Sequence, residues 1–205
     1  MSSSHDSAHH DSFWNKYVFS TDHKVIGLQY GITSLFFLLF GFGLMMLMRW
    51  QLAYPGHPLP LLGKMFGEVN MPNGIMLPTF YNQLGAMHGT IMVFLGVVPL
   101  GFAAFGNYIV PLQIGAKDMA FPRLNMASYW LFFVGGVLML LSFFLPGGPA
   151  SSGWTAYPPL ADFAKDGQTI WLLGMAFIII SSLLGSVNFI VTIFQLRAPG
   201  MTFER

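Results

Sequence analysis

Four long apolar runs, separated by polar or Gly/Pro-rich interludes, dominate the chain. The runs cover about residues 25–48, 84–110, 127–145 and 170–195. Each is long enough for a helix to cross a hydrocarbon core of about 30 Å, which takes roughly 20 apolar residues. The pattern predicts an all-α integral membrane protein with four transmembrane helices. The first run does not read as a cleaved signal: it is too long, it follows an acidic, His-rich leader (SSSHDSAHHDS), and no small-residue cleavage site precedes the next segment. Residues 1–12 are expected to be a disordered leader and residues 13–205 a membrane domain without internal repeats. TDHK, just before the first run, reads as an interfacial cap, with Thr21 or Asp22 placed to accept the first helix amides.

Composition and charge refine this picture. With 54% hydrophobic, 16% aromatic and only 8% charged residues, the chain cannot cover its surface as a soluble globule. Of nine Lys and Arg residues, Lys16, Lys24, Lys117, Arg123, Arg197 and Arg205 fall in the N-terminus, second loop and C-terminus, whereas Arg49, Lys64 and Lys165 fall in the first and third loops. The first set marks the cytoplasmic side, so both termini are expected inside. The connection Gln51–Gln83 and the stretch PGGPASSGWTAYPPL are then outer loops. No basic stripe suggests a nucleic acid partner.

Chemistry has few places to reside. There is no cysteine, which excludes disulfides and thiolate metal sites, and no Walker loop, GxSxG or HExxH motif occurs. His88, in GAMHGTIMVFLGVV, is the only histidine within an apolar run; His5, His9, His10, His23 and His57 lie in the leader or near the surface. Ionisable groups inside a membrane are costly and point to function. A neutral imidazole can ligate haem iron through one nitrogen while the other donates to a carbonyl or hydroxyl. Gly89 removes the side chain beside it, which would let a flat macrocycle approach; a plain hydrogen bond to a neighbouring helix is the alternative. Arg49, Trp154 and Tyr157 belong to the same outer side, either as interfacial anchors or as partners for a porphyrin's polar edge.

The inner side gathers Asn107, Asp118 and Asn125, with Asp118 suited to an ion pair with Lys117 or Arg123. The fourth run carries Ser181, Ser182 and Asn188. Ser181 and Asn188, seven apart, share nearly one helical face about 10 Å apart along the axis. Such a stripe serves either to join helices or to line a water-filled proton path.

STDHKVIGLQY, AMHGTIMVF, FGNYIVPLQIGAKDMAFPRLN, SSGWTAYPPL and SSLLGSVNFIVTI, in this order and spacing, resemble the first four helices of subunit I of the haem–copper terminal oxidases, in their cytochrome c oxidase branch. The resemblance covers about residues 14–205 and implies part of a twelve-helix fold in a bacterial inner membrane. It implies that His88 is one axial ligand of the low-spin haem, that Arg49 hydrogen-bonds the formyl group of haem A, and that Trp154, with Tyr157, lies beside the haem pocket. It also implies that Asp118 is the entrance of the D channel, that Asn107 and Asn125 order water above it, and that Tyr30, Ser181, Ser182 and Asn188 line it further. Gln51 stands where some members carry an acidic residue of a structural cation site.

The second low-spin haem ligand, the copper ligands and the high-spin haem ligand are implied to come from the remainder of subunit I. Subunits II and III and cytochrome c, docking through subunit II, are the implied partners. Two other readings remain open at this point: a quinol oxidase of the same superfamily, and a four-helix membrane piece that binds no haem.

Overall fold

Asp22 starts the first span. Its Oδ1 accepts the amides of Lys24 (2.8 Å) and Val25 (3.1 Å), so the helix α1, His23–Ala53, begins with two otherwise orphaned donors satisfied. The computed structural model describes residues 13–63, 65–163 and 166–202. The expected leader 1–12 and the charges Lys64, Lys165 and Arg205, used above for orientation, lie outside the described residues.

The buried residues of α1 include Ile26, Tyr30, Ser34, Phe37, Gly41 and Leu44, while Ile32, Leu35, Leu39, Phe42 and Met46 on its other faces are exposed. A spacing of three to four residues defines the inward stripe. Because the outward positions are equally apolar, the surface suits lipid rather than water.

Three further helices follow: α2 over Pro78–Ile114, α3 over Pro122–Leu141 with a 3₁₀ turn at Ser142–Phe144, and α4 over Asp166–Gln195. All four are long and apolar enough to cross a membrane. The helix α2 starts before its apolar run because Pro78 is preorganised for a first turn, although PTFYNQ is too polar to register as a span. Its middle widens into π-helical stretches at Ile91–Val97 and Pro99–Ala104. Pro99 lacks an amide proton and cannot continue an i→i−4 ladder, so the hydrogen-bond register shifts around it. Gly115, with φ 73°, ends α2 in the left-handed conformation.

Two glycines bring the backbones of α3 and α4 close together. A Cβ on Gly135 would lie 2.8 Å from the Gly174 carbonyl oxygen, and one on Gly174 would lie 3.0 Å from that of Gly135. Small residues here replace the hydrophobic driving force that lipid does not supply. Gly135→Val is therefore expected to force the two backbones apart and cost about 1–3 kcal/mol. Thermal unfolding in lipid nanodiscs should show a lowered midpoint; an unchanged one would contradict this packing.

The helix α1 packs against α2 and α3. Phe132 of α3 links Tyr30 (5.1 Å between ring centroids) and Phe37 (6.4 Å), while Phe40 meets Phe143 at 5.4 Å. This aromatic core separates the two polar groupings described next.

Candidate functional site

The first grouping surrounds His88. Its Nδ1 lies 2.8 Å from the carbonyl oxygen of Gly41 on α1. A carbonyl can only accept, so Nδ1 carries the proton, and Nε2 is left with its lone pair available. A Cβ at Gly89 would meet nothing within 4 Å, so the helix surface at the residue after His88 is open. A spare ring nitrogen next to an open, side-chain-free patch fits an axial haem ligand. Among the described residues, no group of three or more His, Asp or Glu comes together as a metal cage.

Arg49, Trp154 and Tyr157 do not join His88 in this chain. All three are exposed, and no hydrogen bond, ion pair or ring contact links them to His88 or to one another. Trp154 instead packs on Phe94 of α2, with ring centroids 5.9 Å apart.

The second grouping is a continuous polar ladder between the helices. Asn107 Nδ2 donates to the Ala103 carbonyl (2.7 Å), and Asn125 Nδ2 donates to Asn107 Oδ1 (2.7 Å). Ser128 Oγ donates to the Asn125 carbonyl (2.7 Å) and accepts from the Tyr30 hydroxyl (3.1 Å). Ser181 Oγ donates to the Ser128 carbonyl (2.6 Å) and lies 3.2 Å from the Tyr30 hydroxyl. Asn125 Oδ1 is buried and has no protein partner, an acceptor that an ordered water would satisfy.

Of the residues singled out from the sequence, the ladder unites Tyr30, Asn107, Asn125 and Ser181. It adds Ser128, which sequence reasoning missed. It also corrects the placement of His23: this residue is not at the surface but 2% exposed, with Nδ1 2.7 Å from the Asn107 carbonyl oxygen. The end of α2 covers it, and nothing in the local TDHK sequence signals that contact.

Ser182 and Asn188 behave differently. Ser182 is exposed on the outward side of α4, about 100° around the helix from Ser181. Asn188 is buried, but its amide is committed to backbone: Oδ1 accepts from the Phe121 amide (2.9 Å) and Nδ2 donates to the Phe121 carbonyl (3.3 Å). Thr192 Oγ1 accepts from the Ala120 amide (2.9 Å). Together they pin the loop between α2 and α3 against α4.

That loop presents Asp118. Contrary to the expected ion pair, Asp118 has no salt bridge to Lys117 or Arg123; its Oδ1 accepts from the Met119 amide at 2.6 Å. Burial pushes its carboxyl above the usual carboxylate range, a rise that the Met119 amide and the nearby His23 partly offset.

Four membrane-length helices enclosing an intramembrane histidine and a buried hydroxyl–amide ladder define a multi-pass helical membrane protein whose polar chemistry lies between its spans. Residues 25–205 match the family described as Cytochrome C and Quinol oxidase polypeptide I. The chain belongs to this family and corresponds to the N-terminal part of subunit I.

It is 45% identical over 193 residues to the "Probable cytochrome c oxidase subunit 1-alpha" of Streptomyces avermitilis, covering 93% of this chain and 30% of that protein. It is 42% identical over 200 residues to the cytochrome c oxidase subunit 1 of Thermostichus vulcanus, covering 96% and 33%. Against the cytochrome c oxidase subunit 1 of a Synechocystis species the identity is 43% over 190 residues, covering 92% and 31%. The chain thus spans about a third of the length of these curated relatives.

Proposed function

We propose that this chain is the portion of a proton-translocating cytochrome c oxidase subunit I that carries one axial ligand of the low-spin haem and the inner mouth of a proton path. The observation that carries the reading is the 2.8 Å contact between His88 Nδ1 and the Gly41 carbonyl. It fixes the ring and the tautomer, and hydrogen bonding of this kind raises the basicity of the remaining nitrogen. Nε2 would hold the iron of haem A, and Arg49, Trp154 and Tyr157, exposed in this chain, would be available to its polar edge. The haem, when bound, supplies electron transfer.

At the opposite end Asp118 would receive protons from the cytoplasm. Asn107, Asn125, Ser128, Tyr30 and Ser181 then provide alternating donors and acceptors that hold water in line. Asn188 bounds this path from α4 by fixing the loop that presents Asp118. The excess of Lys and Arg in the N-terminus, second loop and C-terminus supports cytoplasmic termini, and the bacterial relatives support the inner membrane.

The second low-spin ligand, copper and the high-spin haem would come from the remainder of a twelve-helix subunit I, and cytochrome c would dock through subunit II, with subunit III completing the complex. The names of the relatives favour cytochrome c over quinol as donor. Oxygen uptake by the complex purified through this chain tests the reading. Reduced cytochrome c should drive it; a complex that oxidises quinol alone would overturn the donor, and one lacking haem bands would sink the ligand role.

A further inference from the structure

A groove of about 780 Å³ lies where three helices end together, lined by Thr21 before α1, the segment 120–124 at the start of α3, and Val187 of α4. That is the size of a small-molecule cleft, roughly 300–1,000 Å³. Thr21 and Pro122 stand at helix starts, whereas Val187 lies two turns before Gln195, the end of α4, about 12 Å along its axis. The groove therefore opens at the level where helices leave the apolar zone and runs into its depth. Phe121, Leu124 and Val187 form a hydrocarbon wall, and Arg123 is the one charged residue of the lining.

The charge of Arg123 has no counterpart. Its guanidinium makes no hydrogen bond or ion pair among the described residues. The neighbouring carboxylates turn to backbone, Asp22 to the amides of Lys24 and Val25 and Asp118 to that of Met119. Arg123 also sits in the first turn of α3, where no acidic residue and no side-chain cap is found. A cation there meets the positive end of the helix dipole, the unfavourable sign, and the amides of Arg123 and Leu124 have no intrahelical acceptor. At this end of the bundle Lys16, Lys24, Lys117, Arg123 and Arg197 stand against only Asp22 and Asp118 among the described residues. An excess of cations at a membrane boundary attracts anionic lipid.

We propose that this groove binds one anionic phospholipid. Its phosphate is held by the Arg123 guanidinium and the amides that follow Pro122, and an acyl chain lies against Phe121, Leu124 and Val187. A soluble phosphate would satisfy the cation but leave the apolar depth bare. A zwitterionic lipid would fill the depth but bring its own cation to Arg123.

The test uses the assembled oxidase, stripped of bound lipid in mild detergent and titrated with phosphatidylglycerol or phosphatidylcholine, with retained lipid counted by native mass spectrometry. The wild type should retain one phosphatidylglycerol that phosphatidylcholine does not replace. Arg123→Gln should weaken its retention about tenfold, the scale of one charge-assisted hydrogen bond, and Arg123→Lys should restore part of it. Val187→Trp, which fills the depth of the groove from an exposed position, should release the lipid although Arg123 is intact. Equal retention by the wild type and Arg123→Gln overturns the proposal, as does displacement of the lipid by an equal concentration of inorganic phosphate. Loss of a partner subunit from Val187→Trp with lipid retention unchanged overturns it too, since protein would then fill the groove.

Discussion

His88→Ala in the assembled oxidase is expected to abolish oxygen uptake. Alanine removes both the free Nε2 and the Nδ1 proton held by the Gly41 carbonyl, so no axial donor remains at this depth of α2. A low-spin haem needs two axial ligands, and its redox potential follows their identity. Loss of one ligand should therefore stop electron relay rather than slow it. His88→Met is the informative companion: a thioether retains a soft axial ligand, and the haem should stay bound with a raised potential. Wild-type turnover in His88→Ala would show that the imidazole only joins helices.

Asp118→Asn should separate stability from function. Burial raises the Asp118 carboxyl, so the fold favours its neutral form. A group raised in this way contributes stability that is complete below its unfolded value and is lost as pH rises through the folded one. Wherever the carboxyl ionises, its charged form is consequently a burden on the fold, and asparagine, which stays neutral, carries none. Asn Oδ1 also keeps the acceptor for the Met119 amide. The variant should assemble with unchanged or higher thermal stability, yet take up protons on the order of tenfold to a hundredfold more slowly, as expected for removal of an acid–base group. A variant that is both unstable and slow would mean that Asp118 serves the loop rather than the proton.

The four spans were legible because a bilayer admits few alternatives: a run without charge that crosses it must close its own backbone hydrogen bonds. The Asp22 cap was legible for a similarly local reason, a short acceptor before a helix, and His88 stood out as an ionisable ring in an apolar run, its haem role resting on the proposal above. What escaped reading depends on distant partners. His23 looks solvated beside Asp22 and Lys24, and only Asn107, 84 residues away, buries it. Ser128 is an unremarked small residue until Tyr30 and Ser181 converge on it from two other helices. Asn188 advertised polarity correctly, but not that both ends of its amide are committed to Phe121. Ser182 was separable from Ser181 by geometry alone, since adjacent helical residues point about 100° apart. The widening of α2 was foreshadowed by Pro99, although a proline announces a broken rung and not the register that replaces it.

The reduced-minus-oxidised optical spectrum of the assembled complex, recorded for the wild-type chain and for His88→Ala, shows whether His88 holds the low-spin haem. The low-spin haem band is expected in the wild type and its loss in the variant, with the protein still present in the membrane. An unaltered low-spin band in His88→Ala would contradict it.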